Sequence, residues 1–324
     1  MTRLFRRWVA RAVISVSIVA ATVGASYGQD KVVRIGFQKY GKLVLLKSKG
    51  SLEQKLKSVG YSVVWTEFPS GPPLLEALNV GAIDFGNTGE APPIFAQAAG
   101  APIQYVAYEP PAPKGEAILV PKDSPIKSVT DLKGKKVALN KGSNVHYLLV
   151  KALEKAGVKY SEIEPVFLAP ADARAAFERG AVDAWVIWDP FQAAAEAQLQ
   201  ARTLRDGQGL VSNHQFYLAA RPFAERNPAV ISTLIGEIRD IGRWVEANPD
   251  QATEQVAPLL GLSREITRKA VIRQGYGARP ITPEVVRAQQ RIADTFAELR
   301  LIPRKLVIQD AVWAAPKSIA QYPE

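Results

Sequence analysis

KKVALNKGSNVHYLLVKALEKAG, Lys135 to Gly157, is the stretch on which the fold turns. Lys136 to Leu139 read as a short buried strand, and Asn140 to Ser143 supply turn residues. From Asn144 the apolar positions Val145, Leu148, Leu149, Ala152 and Leu153 recur at helical spacing, with Gly157 as a stop. Ser143 or Asn144 is therefore a helix N-cap just past the carboxyl end of a strand. A helix start leaves backbone amides unpaired and carries positive partial charge, so it suits a small anion. Gly142 lets that backbone approach a ligand closely. The same strand–turn–helix unit also serves as pure scaffold in α/β proteins.

Two other stretches repeat the design. Leu74 to Pro92 reads LLEALNVGAIDFGNTGEAP, and Ala173 to Phe191 reads ARAAFERGAVDAWVIWDPF. Each is a helix, a glycine, a short strand and a polar turn into another helix. Gly81-Ala82-Ile83-Asp84 and Gly180-Ala181-Val182-Asp183 match position for position in character. Two similar α/β lobes, each offering loops at strand ends, imply a cleft between them. Read alone, either G-A-x-D is equally a common helix-to-strand connection.

Residues 1–28 read as a cleaved export signal. Arg3, Arg6, Arg7 and Arg11 form a basic start with no acid, and Val13 to Ala25 is too short for a comfortable membrane span. Cleavage is expected after Ala25 or Gly28, releasing the protein to the periplasm. The chain of 324 residues has no cysteine, so it carries no disulfide, lipid-anchored cysteine or thiolate metal site. Removing the four arginines lowers the formal charge from +10 to +6. No basic run is interleaved with aromatics, which argues against nucleic acid as a partner.

Along the mature chain, Val32 to Phe37 is a strand ending on Gln38, Lys39 and Tyr40, and Gln38 is placed to donate to an anion. Leu43 to Gly60 is helical with a break at Gly50, and Tyr61 to Phe68 is a strand. It runs into Ser70-Gly71-Pro72, where Ser70 caps a helix, donates to a ligand, or does both. Asn87 to Glu90 open a helix over Ala91 to Ala99, with Thr88 as its cap, Gly89 exposing backbone donors and Glu90 favouring the dipole. Tyr108 ends an extended passage as core or as cleft wall. Trp188 sits at a strand end, either as an apolar wall or buried with its indole N–H satisfied. His214 lies near a second extended passage, Asn213 to Ala219, more in the manner of a structural histidine than a catalyst. Beyond Arg221, Pro222 to Asn248, Pro249 to Leu260, Ser263 to Arg273 and Pro283 to Leu299 read as four helices, with Tyr276 in a loop able to reach back over the cleft.

Catalytic constellations are not found. His146 and His214 are the two histidines and form no HExxH or paired metal pattern. There is no G-x-S-x-G elbow, P-loop or G-x-G-x-x-G. The expectation is a binding protein with no cofactor and no metal.

The chain resembles the exported solute-binding proteins of ABC importers, in the branch for aliphatic sulfonates, taurine and nitrate, and most of all the aliphatic sulfonate-binding proteins. The carriers are Ile35-Gly36-Phe37-Gln38-Lys39, Asp84-Phe85-Gly86-Asn87-Thr88-Gly89, Asp131 to Val137, Lys141-Gly142-Ser143-Asn144, and Asp183 to Pro190. The resemblance implies an α/β, two-lobed periplasmic-binding-protein-like (type II) fold. Residues 29–116 with 217–324 would form one lobe and 117–216 the other, joined by a two-strand hinge. It implies a monomer that binds an organosulfonate in the interlobe cleft and delivers it to membrane permease subunits. Sulfonate oxygens would meet Ser70, Gly71, Thr88, Gly89, Ser143 and Asn144, with Gln38 as a further donor. Tyr108, Trp188 and Tyr276 would shape the organic end. Asp189 would cap the following helix or meet a ligand amine, and His214 would be a further ligand-binding residue. The alternatives are taurine, nitrate or another small anion as ligand, or a cofactor-biosynthetic enzyme on the same fold with His214 or Glu90 as acid–base.

Overall fold

The computed structural model describes residues 31–39 and 41–316. The export segment at 1–28 and Tyr40 lie outside them. Ten strands are described: β1 (Lys31–Phe37), β2 (Tyr61–Glu67), β3 (Phe85–Gly89), β4 (Ile103–Tyr108), β5 (Glu116–Val120), β6 (Lys136–Leu139), β7 (Glu164–Phe167), β8 (Ala184–Trp188), β9 (Arg202–Asp206) and β10 (Gln215–Ala220). The helices before the second crossing are α1 (Lys42–Lys49), α2 (Ser51–Lys57), α3 (Gly71–Asn79), α4 (Pro92–Ala98), α5 (Asn144–Lys155), α6 (Pro170–Glu178) and α7 (Phe191–Gln198). After it come α8 (Arg221–Arg226), α9 (Pro228–Ala247), α10 (Pro249–Leu260), α11 (Arg264–Ile272) and α12 (Pro283–Glu298).

The strands form two five-stranded sheets, ordered β2-β1-β3-β10-β4 and β7-β6-β8-β5-β9. In the first, β1 runs parallel to β2 and β3, while β10 runs antiparallel to β3 and β4. The second repeats the arrangement, with β6 parallel to β7 and β8 and β5 antiparallel to β8 and β9. The chain crosses between sheets twice, from β4 to β5 and from β9 to β10. Strands β4, β5 and β8 are buried along their whole length. Their near-continuous apolar runs are what sheets covered on both faces require.

The repeated G-A-x-D has one physical role in both sheets. Asp84 Oδ2 accepts the amide of Arg34 in β1 at 2.8 Å, and the Asp84 amide returns to the Arg34 carbonyl at 2.8 Å. Asp183 makes the same pair with Lys136 in β6, at 2.8 Å in each direction. Each aspartate thus fixes the register of the central parallel strands, and with it the loops at their carboxyl ends.

Three expectations are corrected. Pro222 to Asn248 is two helices, because Asn227 (φ −129°, ψ 49°) leaves the helical region before Pro228 starts α9. A strand, β9, follows α7 where the sequence showed no alternation of apolar residues; its burial is intermediate or exposed throughout. Thr88 and Gly89 do not cap a helix. They belong to β3, and α4 starts from Ala91 with Pro92 and Pro93 in its first turn. Those prolines carry no N–H, so α4 has little to offer an anion.

Candidate functional site

The loops at the carboxyl ends of β1, β3, β6 and β8 converge on one cavity. It is lined by Gln38, Gly71, Gly89, Pro92, Ser143, Asn144, Trp188 and Gln215. Six of these, Gln38, Gly71, Gly89, Ser143, Asn144 and Trp188, are residues the sequence singled out. Pro92 and Gln215 are not, because neither carries a sequence signal separable from its role in a helix start or a strand.

Two helix starts face this cavity, from opposite sheets. Ser70 stands at the N-cap of α3 and Ser143 at that of α5, yet neither side chain caps its helix. The Ser143 hydroxyl instead donates to the Asn140 carbonyl at 2.6 Å. The amides at both starts are thereby left without a side-chain acceptor, which is the condition for receiving an external anion. In α3 the following Pro72 and Pro73 leave Gly71 as the donor of that first turn. Gln38 is buried and gives Nε2 to the Asn87 carbonyl at 3.0 Å, which fixes its carboxamide at the rim. Thr88 is buried, and its hydroxyl donates to the Gly89 carbonyl at 3.0 Å.

Behind the cavity lies a wall of buried polar groups at the crossings. Asn144 Nδ2 donates to Glu116 Oε2 at 3.1 Å and to Asn213 Oδ1 at 2.7 Å, and Asn213 Nδ2 donates to the Ala112 carbonyl at 2.9 Å. The His214 amide donates to Glu90 Oε2 at 3.0 Å. Glu90 is fully buried and does not serve the dipole of α4 as expected; burial pushes its carboxyl up to about 7. Burial, and next the nearby Glu90, hold Glu116 well above the usual carboxylate range. The sequence reading passed over Glu116 and Asn213 as ligands of this wall. The available signal was a glutamate heading the apolar strand EAILV at a crossing.

Asp189 lies at the start of α7. Its Oδ1 accepts the Ala193 amide at 3.0 Å, capping α7, and lies 3.5 Å from Arg273 Nη1. Arg273 also donates to Glu196 of α7 at 2.8 Å. Burial pushes the Asp189 carboxyl up to about 7, against the pull of Arg273. His214 Nδ1 lies 2.9 Å from the Glu109 carbonyl, and its ring meets Tyr108 edge-on at 5.3 Å. Tyr108 also exchanges backbone hydrogen bonds with Arg279, at 3.0 and 2.8 Å. Tyr276 lies outside the cavity of Gln38 and Trp188 and lines a neighbouring one with Lys42 and Pro190. Lys42 is buried, pairs with Glu109 at 2.5 Å, and stands 4.5 Å from the centre of the Tyr276 ring. Among the described residues no group of three or more His, Cys, Asp or Glu side chains could hold a metal ion.

A family profile described as NMT1/THI5 like matches residues 67–252. The chain belongs to that family. A relative from Escherichia coli (strain K12), described as an aliphatic sulfonates-binding protein, is 46% identical over 302 residues, 93% of each chain. The solved alkanesulfonate-binding protein of Xanthomonas axonopodis pv. citri bound to MOPS is 39% identical with a TM-score of 0.83, covering 87% of this chain and 98% of that one. The periplasmic aliphatic sulphonate binding protein of Escherichia coli is 46% identical with a TM-score of 0.79, covering 87% and 97%. The two-sheet architecture is the two-lobed α/β fold of these periplasmic binding proteins.

Proposed function

We infer that this protein is the exported substrate-binding component of an ABC importer and that it captures an organosulfonate in the cavity between α3 and α5. The observation that carries the reading is the cavity's lining. Two helix starts without side-chain caps face an apolar Trp188 wall, and no lining residue is cationic. A sulfonate is ionised at every physiological pH. Amides and carboxamides can hold it without burying a lysine or arginine, whose desolvation is costly. The amides of Gly71, Gly89 and the first turn of α5, Asn144 among them, take the sulfonate oxygens, with the second Nε2 hydrogen of Gln38. Trp188 meets the first carbons. The solved relative from Xanthomonas carries MOPS, itself a sulfonate.

Residues 29–116 with 217–324 act as one lobe and 117–216 as the other, hinged at the two crossings. Ligand contacts made to both lobes at once hold the cleft shut. The closed monomer then presents itself to permease subunits at the membrane. Residues 1–28 direct export to the periplasm and are removed there. Met1 is the single sulfur-bearing residue of the whole chain, so the exported protein contains no sulfur. That economy suits a protein that gathers sulfur compounds.

Calorimetric titration of the ligand-stripped protein tests the reading. The panel holds alkanesulfonates, taurine, an aromatic sulfonate, sulfate and nitrate, with the ligand recovered unchanged afterwards. Tight binding of a sulfonate is expected. Binding of nitrate or sulfate alone would remove the sulfonate assignment, and a converted ligand would remove the binding-protein one.

A further inference from the structure

The turn from Asn140 to Asn144 delivers α5 to the anion cradle, and most of its donors are already engaged. The Ser143 amide and hydroxyl both donate to the Asn140 carbonyl, at 3.3 and 2.6 Å, and the His146 amide donates to the Ser143 carbonyl at 3.0 Å. The Gly142 amide goes to a side chain instead, donating to Nδ1 of His146 at 3.3 Å. Among the described residues the amides of Asn144 and Val145 have no acceptor, so they are the pair that α5 leaves for an external anion.

His146 is placed to set that pair. It is fully buried in the first turn of α5, and its ring reaches back four residues to a glycine whose φ of +74° suits few other residues. Its far nitrogen, Nε2, lies 2.9 Å from the Tyr160 hydroxyl, so the ring cannot turn without breaking a hydrogen bond at each end. Phe95 of α4 stacks on the imidazole, with planes 15° apart and centres 6.3 Å apart, and a methyl group built on Gly142 would meet the same Phe95 ring at 3.5 Å. Helix α4 packs on β3 and β4 of the first sheet, whereas His146 and its turn follow β6 of the second. One imidazole is therefore tied at its edge to the anion's turn and at its face to the opposite side of the cleft.

We propose that His146 is a positioning residue for anion capture: its Nδ1 fixes the Gly142 peptide, and so the amides of Asn144 and Val145, in the orientation that receives the ligand, while Phe95 presses on both from the side of the first sheet. The proposal rests on the sulfonate reading of the cradle. It gives the imidazole no contact with the ligand and no charge; the ring works as a neutral acceptor.

Calorimetry with butanesulfonate and thermal melting of His146→Asn and His146→Leu test it. In the first variant the amide oxygen stands where Nδ1 stood and can accept the Gly142 amide; in the second a methyl group stands there. Among aromatic rings the leucine variant is expected to melt at the higher temperature, because the asparagine variant buries unpaired N–H groups. Affinity is expected to run in the opposite order, with His146→Asn within about threefold of wild type and His146→Leu weaker by about tenfold or more. Affinity that follows the melting temperatures would reduce His146 to a core residue and overturn the proposal. Nitrogen-15 spectra of the untagged exported protein contain two imidazoles, those of His146 and His214. At pH 7 His146 is expected as the tautomer with Nδ1 bare, and the shift of that nitrogen is expected to move when butanesulfonate is added. A proton on Nδ1 would overturn the proposal even where neither variant folds, and would leave the sulfonate cradle standing. A wild type that binds no sulfonate would overturn the cradle and this role together.

Discussion

Asn144 lies so close to Gly89 that a methyl group built on Gly89 would sit 1.8 Å from Asn144 Oδ1. Gly89 ends β3 of the first sheet, and Asn144 opens α5, which follows β6 of the second. The two sheets therefore meet here at a distance only glycine permits. Gly89→Ala is expected to hold the cleft ajar by displacing Asn144, weakening sulfonate binding at least tenfold with little change in the unliganded melting temperature. Titration and melting curves of the variant check this; wild-type affinity in the folded variant would mean that the contact is irrelevant to closure.

Arg273, at the end of α11, reaches Asp189 at 3.5 Å and Glu196 at 2.8 Å, both near the start of α7 or within it. Beside this ion pair, Ala193 and Ala194 of α7 pack on Ile266 of α11. This second contact between the halves needs no ligand. Arg273→Gln is expected to raise the radius of gyration of the unliganded protein in solution scattering and to weaken binding by about three- to tenfold, since partly buried ion pairs with two partners exceed exposed ones. An unchanged scattering curve would show that the pair does not bias closure.

Binding should tighten as pH falls from 8 to 6. The sulfonate stays ionised throughout, but Glu90, pushed up to about 7 by burial, becomes neutral beside it. Glu116 and Tyr147 face Glu90 from β5 and α5, His214 from the segment leading into β10, and Arg291 from α12. Asp189, also near 7, loses its pairing with Arg273 over the same range, which opposes this trend. Protonation of Glu90 removes negative charge near an anion, so the sign of its own contribution is fixed. In Glu90→Gln the slope of affinity against pH should flatten, and titrations at three pH values compare the two proteins. A slope identical to wild type would place the linkage elsewhere.

His146 is buried among Phe95, Tyr160, Phe167 and Phe296. Its Nδ1 accepts the Gly142 amide at 3.3 Å, so Nε2 carries the proton toward the Tyr160 hydroxyl at 2.9 Å. Burial, and next the charge of Lys141, lower its pKa to about 4. A depressed pKa contributes stability that is present above the unfolded value near 6.5 and is lost as pH falls toward about 4. The stability advantage of wild type over His146→Gln should therefore shrink by about 2–3 kcal/mol between pH 7.5 and 4.5. Comparing the two proteins by urea unfolding cancels the opposite contribution of Glu90 and Asp189, whose raised pKa values favour folding at low pH. A constant difference would show that His146 does not titrate in this range.

The sequence made the scaffold legible where local chemistry decides structure. The strand and helix of Lys135 to Gly157 follow from apolar spacing, and the paired G-A-x-D segments were visible as a repeat, although the exchange each aspartate makes with Arg34 or Lys136 spans 50 and 47 residues. The cradle residues at strand ends could be named for the same reason. What could not be read were partners set by folding at a distance. Glu116, Asn213 and Asn144 are 28 and 69 residues apart in their hydrogen bonds, and Arg273 meets Glu196 across 77. Thr88 misled because a Thr-Gly before two prolines looks like a cap, whereas pairing with β10 keeps it in a strand. The hydroxyls of Thr88 and Ser143, expected to be free for ligand, are turned onto backbone carbonyls, which shifts the burden of anion binding to amides.

The most direct test of the sulfonate cradle uses the chain's own composition. Met1 is the single methionine of the sequence and there is no cysteine, so a chain of residues 29–324 freed of any initiating methionine contains no sulfur. Crystals grown with an alkanesulfonate and without sulfate or chloride, measured at a wavelength where sulfur scatters anomalously, should show one peak, between Gly89 and the first amides of α5. A bound sulfonate whose peak lies anywhere else would contradict the account.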